Sequence, residues 1–110
     1  MVNRSENPEF KLQSAAVKLF RLKYPQYIIF STNNEACYKS KQYFTSLGLL
    51  KGVSDTVIIT PKKTIFVEFK AGHNRQSAEQ KEFMNKVEGM GYDYHLVYDI
   101  DTFMEIINEL

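Results

Sequence analysis

Gly52-Val53-Ser54-Asp55-Thr56-Val57-Ile58-Ile59-Thr60-Pro61-Lys62-Lys63-Thr64-Ile65-Phe66-Val67-Glu68-Phe69-Lys70 holds two runs rich in β-branched and aromatic residues, 56–60 and 64–69. Between them Pro61-Lys62-Lys63 has the composition of a tight turn, so the segment predicts a β-hairpin. Folding it about Pro61-Lys62 sets Thr60 opposite Lys63. Counting outward pair by pair then sets Asp55 opposite Glu68, to within one residue.

The second strand alternates Ile65, Val67 and Phe69 on one face with Phe66, Glu68 and Lys70 on the other. A strand covered by helices is apolar on both faces, so two charges near one end require an explanation. Opposed like charges destabilise a sheet, and Asp55 against Glu68 is such a pair. A divalent cation would offset the repulsion, and hard oxygen donors suit Mg²⁺ or Mn²⁺. Lys70, one residue pair beyond, is placed to orient a water or to stabilise charge developing on a phosphate.

Outward from the hairpin, the pattern predicts a helix over 8–23, its apolar stripe formed by Phe10, Val17, Phe20 and Tyr24 with Leu12, Ala16 and Leu19 alongside. Ser5 or Asn7 is its expected cap, and Pro25 ends it by excluding Tyr24 from helical geometry. A short strand is expected at 27–30. A weaker helix follows at 35–47, with Cys37, Phe44 and Leu47 inward and Gly48 as its stop. Beyond the hairpin come a helix from 76 or 77 to 90 with Phe83, Met84 and Val87 inward, and a strand at 94–98. A last helix, capped by Asp101, carries Phe103, Ile106, Ile107 and Leu110 at helical spacing. The order αβαββαβα predicts an α/β fold, a small mixed central β-sheet flanked by helices, in a single domain over 1–110.

Composition sets the outer bounds. Hydrophobic residues make up 44% and charged residues 25%, and 15 residues are Phe or Tyr, the profile of a globular chain with a real core. No run is long enough for a membrane span, and the first residues contain no apolar signal segment. Cys37 is the single cysteine, which excludes an internal disulfide and a cysteine-based zinc site. A cytoplasmic setting is expected. Net charge is only +1, but residues 36–78 carry seven bases against two acids, a local +5, while the remaining seven bases and eleven acids give −4. A basic middle whose two carboxylates are Asp55 and Glu68 reads as a phosphate-facing surface enclosing a charged site. Lys39, Lys41, Lys62, Lys63 and Arg75 are its candidate nucleic-acid phosphate contacts. His73 and His95 each lack a spaced second histidine, so zinc is not indicated.

The arrangement Asp-x12-Glu-x-Lys on a hairpin resembles the core of the PD-(D/E)XK (restriction-endonuclease-like) nuclease superfamily, and within it the VRR-NUC branch. That branch carries a Gly-Val-Pro-Asp approach, a Glu-x-Lys strand and a Gln on the next helix. These read here Gly52-Val53-Ser54-Asp55, Glu68-Phe69-Lys70 and Gln80, with Ser54 departing from the usual proline. Glu9 and Gln13 match a Glu and Gln of the family's first helix, and residues 91–99 look like its last strand. The resemblance implies that Asp55, Glu68 and the Phe69 carbonyl bind metal while Lys70 helps activate water. It implies a metal-dependent endonuclease acting on branched DNA such as four-way (Holliday) junctions, working as a homodimer. A non-catalytic nucleic-acid-binding module and a sequence-specific restriction-type nuclease are the alternatives.

Two residues have double readings. Gln80 fits a capping box with Ser77, yet shares the stripe of Met84 and Val87 and so can face the site. Glu9 is either an outer contact of the site or an exposed first-turn glutamate favoured by the helix dipole.

Overall fold

A computed structural model describes residues 7–32, 47–48 and 50–110. The elements in chain order are α1 (Pro8–Lys23), β1 (Ile28–Ser31), β2 (Thr56–Ile59), β3 (Thr64–Phe69), α2 (Ala78–Gly89), β4 (Asp93–Val97) and α3 (Ile100–Asn108). They form a four-stranded mixed sheet in the order β1-β2-β3-β4, flanked by helices as the sequence predicts. The helix expected at 35–47, and with it Cys37, Lys39 and Lys41, lies outside the described residues except for Leu47, whose side chain is exposed rather than inward.

The hairpin has the register obtained by counting. Thr56 pairs with Val67 and Ile59 with Thr64, and the Thr60 amide donates to the Lys63 carbonyl at 2.8 Å. The Thr60 hydroxyl accepts from the amides of Lys62 (3.3 Å) and Lys63 (3.0 Å), so a side chain closes the turn that Pro61 enters. β1 adds to β2 antiparallel, and β4 lies parallel to β3 after the crossover through α2. That parallel step brings a residue of β4 into the site.

One face of the sheet packs on α1 and α3. Ala16, Phe20, Ile29, Ile58, Ile65, Val67, Phe69, Val97, Phe103 and Ile107 form the core there. Tyr24 fastens the two helices by donating its hydroxyl to the Ile107 carbonyl at 2.7 Å. The other face of β3 and β4 is covered by α2, whose Phe83 packs edge-on against Phe66 at 5.6 Å and Tyr94 at 6.2 Å.

Two local expectations are corrected. Phe10 is 45% exposed rather than inward, and the buried residues of α1 are Ala16 and Phe20, further along the helix. The cap of α3 is Asp99, whose carboxylate accepts from the Thr102 amide at 2.8 Å. An N-cap bonds the amide three residues on, so Asp101 falls within the first turn, where the dipole favours it. At α1, Asn7 is the cap, accepting from the Glu9 amide at 2.8 Å.

Candidate active site

β2 begins one residue after Asp55, and continuing the Thr56–Val67 pairing by one step sets Asp55 across from Glu68. The backbone there is fixed from both sides. Thr32, just past β1, donates its amide to the Asp55 carbonyl at 2.9 Å and its hydroxyl to the Ser54 carbonyl. Thr56 donates its hydroxyl to the Val67 carbonyl at 3.1 Å. Ser54 is fully buried and bonds the Thr56 carbonyl at 3.1 Å, so the hydroxyl at this position is satisfied locally.

The approach to Asp55 is pressed against the start of α2. Gly52 has φ +91, and a Cβ there would lie 2.5 Å from the Glu79 carbonyl carbon and oxygen and 2.9 Å from the Gln80 amide nitrogen. A rigid helix backbone cannot yield as a side chain would, and the positive φ disfavours any L side chain. Gly52→Ala is therefore expected to destabilise the protein by roughly 2–4 kcal/mol, judging from overpacking with backbone strain added, and to separate Asp55 from α2. Urea unfolding of the variant checks the first effect. An unchanged midpoint would mean that the approach loop is not packed on the helix.

Glu68 has no solvent exposure. Its Oε1 accepts the Tyr94 hydroxyl and the Gln76 side-chain amide, the latter at 3.5 Å. Its Oε2 has no hydrogen-bond partner among the described residues. The Lys70 ammonium lies 3.3 Å from that oxygen, near enough to offset charge but without the alignment of a hydrogen bond. Lys70, 12% exposed, is instead aimed by Gln80, whose Oε1 accepts from Nζ at 3.1 Å. The same Gln80 oxygen accepts the Ser77 amide at 2.8 Å, completing the capping box. The two readings of Gln80 are thus one arrangement, in which the cap of α2 holds the lysine.

Asp55 Oδ2 accepts the Phe69 amide at 2.7 Å. A strand residue directs its N–H and C=O toward the same neighbour, so the Phe69 carbonyl leaves β3 on the Asp55 edge. Burial pushes the Asp55 carboxyl up from 3.8 to about 6; the Phe69 amide opposes this, Glu68 adds to it, and Lys70 and Glu9 act more weakly in opposite senses. Burial, and then the bond to Glu68, likewise hold the Tyr94 phenol above its ordinary range.

These groups fit a hard divalent cation. A buried carboxylate oxygen without a hydrogen bond is costly, and a second carboxylate faces it across the hairpin. Among the described residues no three His, Cys, Asp or Glu side chains gather as a ligand cluster. A cation would complete its shell from backbone, water or substrate, a pattern that Mg²⁺ accepts and structural zinc does not.

Other predicted residues fall at different distances from this centre. Glu9, in the first turn of α1, accepts from the Asn74 side chain, and its charge acts on Asp55. Asn74 is also held through its carbonyl by the Tyr98 hydroxyl at 2.9 Å, which pins the loop bearing the exposed His73 and Arg75. Lys62 and Lys63 lie at the opposite end of the hairpin. Five residues of strand, roughly 16 Å at about 3.3 Å each, separate them from Asp55, and Lys63 pairs with Asp93 at 3.5 Å. Lys39 and Lys41 are outside the described residues. Tyr94 and Gln76, both on Glu68, are not among the residues that the sequence singles out.

Comparison with solved structures finds the same fold in a chain described as a "VRR_NUC domain protein", with a TM-score of 0.70 and 18% identity over 94% of this chain and 87% of that one. No protein-family model matches the sequence, and no curated protein sequence does. At that identity the likeness is one of fold alone.

Proposed function

We propose that this chain is a nuclease of the VRR-NUC type, a Mg²⁺- or Mn²⁺-dependent endonuclease that hydrolyses phosphodiester bonds in DNA. The observation that carries the reading is Glu68: fully buried, one oxygen without a hydrogen bond, facing Asp55 across the hairpin with Lys70 beside it. Two carboxylates and one ammonium leave a local charge of −1 when all are ionised. A divalent cation converts this to +1, which suits a phosphodiester of −1.

Asp55, Glu68 and the Phe69 carbonyl would hold the cation. When bound, it supplies a Lewis acid that offsets charge on the phosphate oxygens. Lys70 lies at the margin of the interior, with its ammonium fixed by Gln80 and Glu68. From there it can donate to a water or to a phosphate oxygen without reorganising, which is where preorganised charge is most effective. Glu9 holds Asn74 in the loop that carries Arg75 and whose Gln76 reaches Glu68. Branched DNA and a homodimeric working form are the substrate class and assembly that the family resemblance supports.

A panel of linear, flap and four-way DNA, with and without Mg²⁺, tests the reading. Cleavage of branched substrates that needs the metal and is lost in Asp55→Ala is the expected result. Binding without metal-dependent cleavage would make the chain a non-catalytic module, and cutting that follows base sequence would make it a restriction-type enzyme. Arg75→Gln should weaken binding to all sequences alike and flatten the salt dependence by about one charge. Lys62→Gln, at the far end of the hairpin, should do so less. Equal effects of the two in titrations over a salt series would show that the DNA runs the length of the hairpin.

A further inference from the structure

We infer that Tyr94 is a positioning residue, whose hydroxyl holds the Glu68 carboxylate so that Oε2 is the oxygen presented to a divalent cation. This rests on the nuclease reading of the same site. The two donors that reach Glu68, the Tyr94 hydroxyl from β4 and the Gln76 amide from the loop before α2, both go to Oε1. Oε2, equally buried, has no hydrogen bond, and the Lys70 ammonium lies on its side at 3.3 Å. Were the tyrosine there simply to satisfy a buried carboxylate, two donors on one oxygen and none on the other would be a poor solution. The asymmetry is what a ligand oxygen needs: one side of the carboxylate fixed and the other left to be completed.

Geometry makes Tyr94 suited to the task. The parallel register sets it beside Phe66, two residues before the partner of Glu68, so its ring leans along the strand to reach the carboxylate. It is 8% exposed, and its ring packs edge-on against Phe83 at 6.2 Å. The hydroxyl is therefore held by the sheet and by α2, the helix that also aims Lys70 through Gln80. One helix sets the lysine and the orientation of the carboxylate.

The test is Tyr94→Phe, which keeps the ring and removes the donor. Mn²⁺ binding is measured by calorimetry on the DNA-free protein, beside wild type and Asp55→Asn. The variant is expected to bind Mn²⁺ about tenfold more weakly, as loss of a partner that orients a metal ligand does. Its cleavage rate should recover as Mn²⁺ is raised, whereas a merely structural loss would lower the rate at every metal concentration. Wild-type affinity in Tyr94→Phe while Asp55→Asn has lost binding would overturn the role of Tyr94 and leave the nuclease reading standing. Absence of Mn²⁺ binding by wild type would overturn both. Gln76→Leu gives a second line: it should shift affinity in the same direction by a smaller factor, and unchanged affinity in a folded Gln76→Leu together with a poorly folded Tyr94→Phe would count against the inference.

Discussion

Lys70→Ala is expected to lower cleavage about a thousandfold at saturating Mn²⁺ while DNA affinity stays within roughly threefold, the pattern of an interaction made mainly in the transition state. The reason is placement. The Lys70 ammonium is 12% exposed and sits 3.3 Å from Glu68 Oε2. Among the described residues its other polar contact is the Gln80 oxygen at 3.1 Å, itself part of a helix cap. A charge so fixed adds little to gripping DNA, which depends on many exposed cations. It is positioned for the few atoms at the end of the hairpin. The substitution also removes the charge nearest a buried carboxylate, and breaking such a pair costs about 3–5 kcal/mol without metal. For that reason the assay is run with Mn²⁺ present and alongside Lys70→Met, which retains the buried stem. Near wild-type turnover in either variant would remove Lys70 from the chemistry.

The hairpin is legible in the sequence because an antiparallel pair with a tight turn leaves one register to count. That counting sets Asp55 across from Glu68, and the strand pairing extends to the same juxtaposition. The same count also puts Lys62 and Lys63 at the far end. Proximity in sequence groups them with Arg75, but charge patterning says nothing of distance in space. Tyr94 is not legible, because the register of β4 on β3 depends on how α2 packs, and no local pattern encodes that. Gln80 illustrates a further limit. Its capping and site readings look like rivals in the sequence, but a carbonyl oxygen has two lone pairs and here serves both the Ser77 amide and Lys70. The likeness to the VRR_NUC domain structure, at 18% identity, supports the fold that the motifs imply without deciding any residue's role.

Asp55→Asn is expected to stabilise the metal-free protein at neutral pH and to abolish stabilisation by metal. Burial, partly opposed by the Phe69 amide and reinforced by Glu68, raises the Asp55 carboxyl from 3.8 to about 6. A raised value means that the folded state holds the proton more tightly than the unfolded chain. The stabilising contribution is therefore complete below pH 3.8 and is lost as pH rises through about 6. At neutral pH the ionised carboxylate is a liability of up to about 3 kcal/mol by linkage. The substituted side-chain amide keeps an acceptor for Phe69 and carries no charge, so in EDTA at pH 7 the variant should melt several degrees above wild type, at roughly 4 °C per kcal/mol. Near pH 4 the two should melt together. Millimolar Mn²⁺ should reverse the order, because a ligand of the folded state adds about 2.7 kcal/mol at a hundred times its Kd and the amide is a poor donor. A solvated aspartate at a strand start would instead leave melting indifferent to the substitution, to pH between 4 and 7, and to Mn²⁺. Melting curves of both proteins across that range, in EDTA and in Mn²⁺, separate the two cases. If wild type gains nothing from the metal, or the variant gains as much, Asp55 is not a ligand and the repulsion across the hairpin serves no cation.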